Sequence, residues 1–307
     1  MIDLHTHSTA SDGSFSPTSL MEEAAKRRIS AIALTDHDTI EGLTEAAEAA
    51  RALGIHFIPG IELEIEWEKE ASVLDPVKKP GGEFHLLGLC LGRPSPKFEA
   101  AVEDLSRRRE ERNQLIVERM NKAGISVSYD EIKALAAGPE DEPKIPGSRL
   151  KRHTIGRPHF AAFLVKKRIV KNREQAFLRY MGRGKPFYIP KAGLEFGRAV
   201  EAIHDSGGIA VLAHPMSLYV AWGKLPDLVK NLKERGLDGL EAWHPSAKAG
   251  SCRRLEELAK KLALIVTAGS DFHGEARPDR KLGITAGGKK IDETYLEDLL
   301  SFVYSTK

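Results

Sequence analysis

Histidine and acidic residues occur in short groups along this chain of 307 residues, and most groups directly follow an apolar run. His5 and His7 form the first group, and because side chains two positions apart on a strand share a face, their imidazoles point the same way. The other candidates are Asp12, Asp36, His37, Glu62, His85, His214, Asp271 and His273. Imidazole and carboxylate together suit divalent transition metals, and neither Cys90 nor Cys252 joins a group. The pattern therefore predicts a metal centre without thiolate ligands.

The set holds more ligands than one ion needs. A zinc-type ion takes about four protein ligands, whereas nine side chains are predicted here as ligands. They are His5, His7, Asp12, His37, Glu62, His85, His214, Asp271 and His273. Two or three neighbouring divalent ions would use them all, and such clusters hold phosphoryl oxygens and generate hydroxide near neutral pH. An isolated His-x-His pair is more often structural, so the prediction depends on all the groups occurring together.

Seven short apolar runs bounded by turn residues predict β-strands. They cover residues 1–4, 31–35, 56–59, 84–89, 209–213, 239–243 and 264–268. Amphipathic helical patterns separate most of these runs, and strands that alternate with helices pair in parallel through right-handed crossovers. We expect an α/β fold with a closed or nearly closed β/α barrel. Strand ends share one rim in such a barrel, so the candidate ligands would converge there.

The fourth run departs from this rule, because His85 lies near its start rather than after its end. If residues 84–91 pair antiparallel with residues 61–67 as a hairpin, His85 returns to the same rim as the other ligands. We therefore expect one reversed strand in the sheet.

The alternation of strands and helices stops at residue 98 and resumes after residue 191. Residues 98–191 carry 21 Lys and Arg against 12 Asp and Glu, whereas the remainder of the chain carries 25 against 32. We expect residues 1–97 and 192–307 to form the barrel, and residues 98–191 to form an inserted, basic, mainly helical substrate-binding domain. Its loop at residues 138–147 contains three prolines, which argues against a regular element there.

The composition excludes several classes of protein. The chain is 41% hydrophobic and 29% charged with a formal net charge of +2, which is ordinary for a folded globular protein. No stretch approaches the roughly 18 uncharged apolar residues of a membrane span. The initial MIDLHTHS lacks the basic and apolar regions of a signal peptide, and two cysteines cannot build a disulfide framework. We expect a cytoplasmic protein with reduced thiols, no membrane contact and no obligate protein partner.

The motifs that carry these groups resemble those of the PHP (polymerase and histidinol phosphatase) phosphoesterases. They are HTHSTASDG at 5–13, LTDHDT at 34–39, GIELE at 60–64, HLLG at 85–88, AHP at 213–215 and GSDFH at 269–273. The segment GRPHFA at 156–161 is similar to the subgroup that hydrolyses nucleoside 3′,5′-bisphosphates and degrades short RNA from its 5′ end. The resemblance implies a distorted seven-stranded barrel with a trinuclear site, commonly occupied by Mn²⁺, with Zn²⁺ or Fe²⁺ as alternatives.

The resemblance also implies how the ligands divide among the ions. The first ion would take His5, His7, Glu62 and Asp271; the second Glu62 as a bridge, His85 and His214; the third Asp12, His37 and His273. With this set complete, we expect Asp271 and His214 to serve catalysis, together with Arg157 as a cation on the substrate.

Several residues outside this set are candidates for substrate contacts. Arg157 and His159 lie at the start of a helical pattern, where free N–H groups and a cation would hold a phosphate. The simpler alternative is a proline in the first helical turn flanked by solvated polar residues. Trp243 and His244 follow a strand, so they would stack on a base or touch the substrate, unless Trp243 belongs to the core. Arg277 is a candidate phosphate contact.

The expected function is a metal-dependent phosphoesterase that uses a metal-bound hydroxide. Its substrate would be the 3′-phosphate of a nucleoside 3′,5′-bisphosphate, or short 5′-phosphorylated RNA cut from the 5′ end. Two alternatives remain at this point: a phosphatase for a small non-nucleotide phosphomonoester such as histidinol phosphate, and a non-catalytic PHP module.

Overall fold

The computed structural model describes residues 1–67, 82–136 and 154–306 of the chain. The proline-containing loop at residues 138–147 lies outside the described residues. The predicted seven strands are all present and form one sheet in chain order. They are β1 (Ile2–Asp3), β2 (Ala31–Leu34), β3 (His56–Glu64), β4 (His85–Leu89), β5 (Ile209–Leu212), β6 (Gly239–Trp243) and β7 (Ile265–Ala268).

Strand direction follows the prediction. The pairs β1–β2, β2–β3, β5–β6 and β6–β7 are parallel, whereas β4 is antiparallel to both of its neighbours. The two edges of the sheet approach each other, since the Leu4 N–H donates to the Ala268 carbonyl at 3.4 Å and Thr6 forms a parallel bridge with Phe272. The sheet is therefore a nearly closed, distorted barrel, as expected.

Strand β3 is longer than predicted because it changes partner along its length. It pairs with β2 as far as Pro59 and with β4 from Gly60 onward. A Cβ at Gly60 would lie 3.0 Å from the carbonyl oxygen of Gly88, so a glycine permits the close approach of β4. The predicted hairpin is confirmed, and Glu64 lies opposite His85 in its register. The reversed strand thus returns His85 to the rim that the parallel strands share.

Helices connect the strands and cover the outside of the barrel. In chain order they are α1 (Pro17–Lys26), α2 (Leu43–Leu53), α3 (Pro96–Lys122), α4 (Tyr129–Ala136), α5 (Arg157–Lys166), α6 (Arg173–Ala176), α7 (Phe196–Asp205), α8 (Leu225–Glu234), α9 (Ala249–Lys261) and α10 (Thr294–Thr306). Helix α6 continues into a π-helical turn at Phe177–Met181. Helix α2 ends at Gly54, whose φ of 69° suits a glycine C-cap. No helix among the described residues is long and apolar enough to cross a membrane.

Helix α3 links two separate hydrophobic cores. Its first turns place Phe98 and Leu105 in the large core around the barrel. Its later turns place Ile116 and Met120 in a second core, which it shares with helices α4 and α5 and the π-helical turn. The division of the chain into a barrel and an insertion at residues 98–191 remains a prediction, with α3 as the element common to both cores.

Candidate metal centre

The structure brings all nine predicted ligands together at one end of the barrel. They are supplied by the segment after β1 (His5, His7, Asp12), the end of β2 (His37), β3 (Glu62), the start of β4 (His85), the end of β5 (His214) and the end of β7 (Asp271, His273). Since parallel strands deliver their C-terminal ends to one rim, this convergence is a direct consequence of the topology. Reversed β4 contributes its first residue instead of its last.

The carboxylate of Glu62 lies at the middle of this cluster and is 1% exposed. Its Oε1 lies 2.8 Å from His85 Nδ1 and 2.9 Å from His214 Nε2. Its Oε2 lies 3.0 Å from His37 Nδ1, 3.3 Å from His7 Nε2 and 3.4 Å from His5 Nε2. Each carboxylate oxygen therefore faces its own group of imidazoles, which is the arrangement of a bridging ligand.

Two further carboxylates complete the groups. Asp271 Oδ1 lies 3.4 Å from His7 Nε2 and 3.7 Å from His5 Nε2. Asp12 Oδ1 lies 3.2 Å from His273 Nε2 and 3.9 Å from the Nε2 atom of His37. The PHP resemblance implies these neighbours, but the groups overlap in the structure, since His7 also lies with Asp12, His37 and His273, and His37 also lies with Glu62 and His85. Their assignment to individual ions remains a prediction.

The donor atoms of this cluster fit divalent cations. Among the described residues, buried Asp12 Oδ1, Glu62 Oε2 and His273 Nε2 make no well-directed hydrogen bond, although His273 Nε2 lies 3.2 Å from Asp12 Oδ1 and His37 Nδ1 lies 3.0 Å from Glu62 Oε2. Such atoms are costly to bury unless something else satisfies them. The only donors offered are imidazole nitrogens and carboxylate oxygens, and several groups of them lie within 4.8 Å of one another. Divalent transition metals bind this combination of donors.

Burial and mutual charge shift the pKa values of these groups in opposite directions. Burial raises the pKa of Glu62, but His37 and His85 outweigh it and hold that pKa well below its usual range. Burial lowers the pKa of His85, but Glu62 and Glu64 outweigh it and raise that pKa to about 10. In the absence of cations, anionic carboxylates therefore share the cluster with protonated His5 and His85, whereas burial lowers the pKa values of His7 and His37. A divalent cation that binds here must displace protons.

A cleft of about 180 Å³ opens beside the cluster, and basic side chains line much of the rest of it. These are Arg109, Arg112, Arg157, Lys191, Arg277 and Arg280. Burial and the nearby Arg157 lower the pKa of Arg112 to about 10, because these cations crowd one another in a poorly hydrated space. Four carboxylates among the described residues also line the cleft, so the guanidinium groups rather than the net charge are what fits an anionic ligand there.

Three of the predicted substrate residues lie in this cleft. Arg157 is 3.4 Å from Glu83 and its guanidinium lies over the Tyr188 ring. Arg277 Nη1 and His244 Nε2 both approach Asp271 Oδ2, at 2.9 Å and 3.3 Å. All three are therefore placed to contact a molecule bound between the metal cluster and helix α5.

The structure corrects the prediction for Trp243, which is 4% exposed and packs in the large core. Its indole N–H donates to Glu256 Oε2 at 2.7 Å and Lys289 Nζ lies over its ring, so this buried ring is not available to stack on a base. His159 is also engaged, since its Nδ1 accepts from the Gly156 N–H at 3.0 Å and caps helix α5. The aromatic residue that does line the cleft is Phe177, in the π-helical turn.

The sequence patterns did not single out two acidic residues that contact the candidate ligands. Glu64 Oε2 accepts from His85 Nε2 at 2.8 Å and also pairs with Lys191. Glu241 Oε1 lies 2.9 Å from His5 Nδ1. Glu241 is the one charged residue within the apolar strand β6, and that isolated charge was the available signal.

Comparisons with known proteins agree with this geometry. The family model described as "PHP domain" matches residues 3–153. A 5′-3′ exoribonuclease from Haemophilus influenzae is 36% identical over 88% of this chain and 89% of its own length. The chain belongs to the PHP domain family.

Two other proteins extend the similarity over nearly the whole PHP chain. A 3′,5′-nucleoside bisphosphate phosphatase from Chromobacterium violaceum is 31% identical over 92% of this chain and 91% of its own length. A crystal structure of a protein from Bifidobacterium adolescentis, assigned as a metal-dependent phosphoesterase, superposes with a TM-score of 0.79 at 26% identity. That comparison covers 97% of this chain and 95% of the other.

Replacing Glu62 tests its bridging position. Glu62→Gln removes the charge that faces five imidazoles. We expect fewer bound Mn²⁺ ions per chain and turnover reduced by more than about 100-fold, because mutation of a residue that only contacts a metal ligand already lowers metal affinity or activity by about 10–100-fold. Metal analysis after dialysis and a phosphate-release assay measure both effects. Exposed Glu48→Gln is the matched control. Wild-type metal content in Glu62→Gln would contradict the bridging position.

Proton release provides a second test. Because the pKa of His85 is raised to about 10, its ring is protonated near neutral pH and competes with a cation. The apparent affinity for Mn²⁺ should therefore rise with pH, by about tenfold per pH unit for each proton released. Calorimetric titration in buffers of different protonation enthalpy counts those protons. An affinity that is constant from about pH 6 to pH 8 would show that no proton is displaced.

Proposed function

We propose that this PHP protein is a metal-dependent phosphoesterase that removes the 3′-phosphate of nucleoside 3′,5′-bisphosphates and degrades short 5′-phosphorylated RNA from its 5′ end. The observation that carries the proposal is a cleft with two different walls, one of candidate metal ligands and one of arginines. One wall is the cluster around Glu62, and the other is formed by Arg112 and Arg157. A substrate with two phosphate groups matches both walls at once. The relatives named as a 5′-3′ exoribonuclease and a 3′,5′-nucleoside bisphosphate phosphatase support the same class of substrate.

The metal wall would bind the scissile phosphate. Three divalent ions, which we propose to be Mn²⁺, would be held by the three groups of ligands around Glu62, with Zn²⁺ or Fe²⁺ using the same donors. When bound, such ions polarise phosphoryl oxygens and lower the pKa of water. Arg277 lies beside Asp271 and would neutralise charge on the oxygens of the same phosphate.

The arginine wall would bind the second phosphate. The Arg112 side chain is 6% exposed and its buried Nε has no hydrogen-bond partner among the described residues. Arg157 pairs with Glu83 only at 3.4 Å, so its N–H groups are available to a stronger acceptor. Guanidinium groups bind phosphate through paired, charge-assisted hydrogen bonds. This wall orients the substrate, so that the 3′-phosphoester reaches the cluster around Glu62.

The alternatives predict different activity. Histidinol phosphate has a single phosphate and would leave the arginine wall without an anionic partner. A non-catalytic module has no need for the full set of ligands around Glu62. Assays of adenosine 3′,5′-bisphosphate, histidinol phosphate and a 5′-phosphorylated oligoribonucleotide, each with Mn²⁺, discriminate among them. A clear preference for histidinol phosphate, or no hydrolysis by the metal-loaded protein, would overturn the proposal.

Arg157→Ala tests the arginine wall. Removal of a charge-assisted hydrogen bond costs about 1.5–3 kcal/mol, so we expect KM for adenosine 3′,5′-bisphosphate to rise by about 10–100-fold. Adenosine 3′-monophosphate lacks the 5′-phosphate, and its KM should change little. Steady-state kinetics with both substrates measure the difference, and exposed Arg183→Ala is the control. Equal losses for the two substrates would contradict a 5′-phosphate contact by Arg157.

A further inference from the structure

Glu241 is a fully buried carboxylate that contacts two candidate metal ligands from behind. Its Oε1 lies 2.9 Å from His5 Nδ1. Its Oε2 accepts from the backbone N–H of His214 at 2.7 Å. His5 and His214 face different oxygens of Glu62, so the two ends of one carboxylate contact two different ligand groups.

The contact with His5 determines which ring nitrogen faces the cluster. When Nδ1–H donates a hydrogen bond to Glu241, the lone pair of Nε2 is available to bind a cation. It is this Nε2 atom that lies 3.4 Å from Glu62 and 3.7 Å from Asp271. The ring is thus held with its metal-binding nitrogen toward Glu62.

The contact with His214 supports an unusual backbone conformation. His214 has φ 29° and ψ 64°, in the left-handed region that residues other than glycine rarely adopt. A strained conformation of this kind persists only when surrounding contacts hold it. Glu241 holds the His214 N–H, and Ser217 Oγ contacts its Nδ1. In this conformation His214 Nε2 lies 2.9 Å from Glu62 Oε1.

The space for this carboxylate depends on Gly269, at the end of β7. A Cβ at Gly269 would lie 2.6 Å from Glu241 Oε1 and 2.3 Å from the Cβ of His5. Both distances are shorter than real Cβ contacts, so a side chain at Gly269 would force His5 or Glu241 to shift. The packing therefore allows Glu241 and His5 to stay in contact.

We propose that Glu241 is a positioning residue that couples two metal positions, one served by His5 and the other by His214. The proposal deepens the proposed function, because it concerns the same metal cluster. Direct ligation by Glu241, with His5 and His244, is the competing arrangement, since these three residues offer donor atoms within 4.8 Å of one another. That arrangement would use His5 Nδ1, whereas His5 Nε2 is the atom that faces Glu62 and Asp271.

Glu241→Gln tests the coupling. The glutamine has the same shape but only one acceptor oxygen, so it cannot accept from both the His5 ring and the His214 N–H. We expect the Mn²⁺ affinity of the two positions served by His5 and His214 to fall by about 10–100-fold. The position served by Asp12, His37 and His273 should keep its affinity. Calorimetric titration of the metal-free protein with Mn²⁺, without substrate, measures this pattern.

Two further variants make the result selective. Glu256→Gln removes a carboxylate that binds the Trp243 indole outside the cluster, and it should titrate like wild type. Ser217→Ala removes the hydroxyl that contacts His214 Nδ1, and it should weaken only the position served by His214. If Glu241→Gln does not fold, Ser217→Ala together with Gly269→Ala still tests the proposal, since Gly269→Ala should weaken both coupled positions.

Each other outcome overturns the coupling. Unchanged Mn²⁺ affinity in Glu241→Gln would show that Glu241 positions neither histidine. Equal loss at all positions with a lower melting temperature would show a general structural role. Loss of one bound Mn²⁺ ion in Glu241→Gln, with unchanged affinity at the position served by His214, would show that Glu241 ligates that ion directly. Because no substrate is present, a protein that binds Mn²⁺ as described but does not hydrolyse adenosine 3′,5′-bisphosphate would refute the proposed function and leave the coupling intact.

Discussion

The arrangement of this site depends on one buried carboxylate, that of Glu62, surrounded by five imidazoles. An ionised carboxylate inside a protein is costly unless positive charge lies next to it. Protonated His5 and His85 supply that charge when no cation is present, and divalent cations would supply it when they bind. The barrel holds the imidazoles in place around Glu62.

The reversed strand β4 follows from the same constraint. The other six strands bring the residues at their C-terminal ends to the rim. His85 is the first residue of β4, so it would lie at the opposite end of the barrel if β4 were parallel to its neighbours. The antiparallel pairing of Glu64 with His85 removes that difficulty. The change of partner within β3 at Gly60 is the local feature that makes the reversal fit the barrel.

Much of this arrangement could be predicted from the sequence, because strand ends are a strong local signal. The apolar runs, the groups that follow them and the hairpin around His85 all depend on neighbours close in the chain. The contacts of Glu241 could not be predicted, since β6 is separated from His5 by more than 200 residues and the Gly269 packing exists only in three dimensions. Trp243 was wrongly expected in the cleft for a related reason. The alternation of residues along a strand does not show whether the side chain of the last residue points into the cleft or packs against a helix. Phe177 lies on a π-helical turn that no periodicity indicates.

The central claim is that Glu62 bridges bound divalent cations. An anomalous difference map from crystals grown with Mn²⁺ tests it most directly, because it locates the ions independently of activity. The account predicts a peak beside each oxygen of the Glu62 carboxylate. Ions found elsewhere in a protein that hydrolyses phosphate esters, with no peak near Glu62, would contradict it.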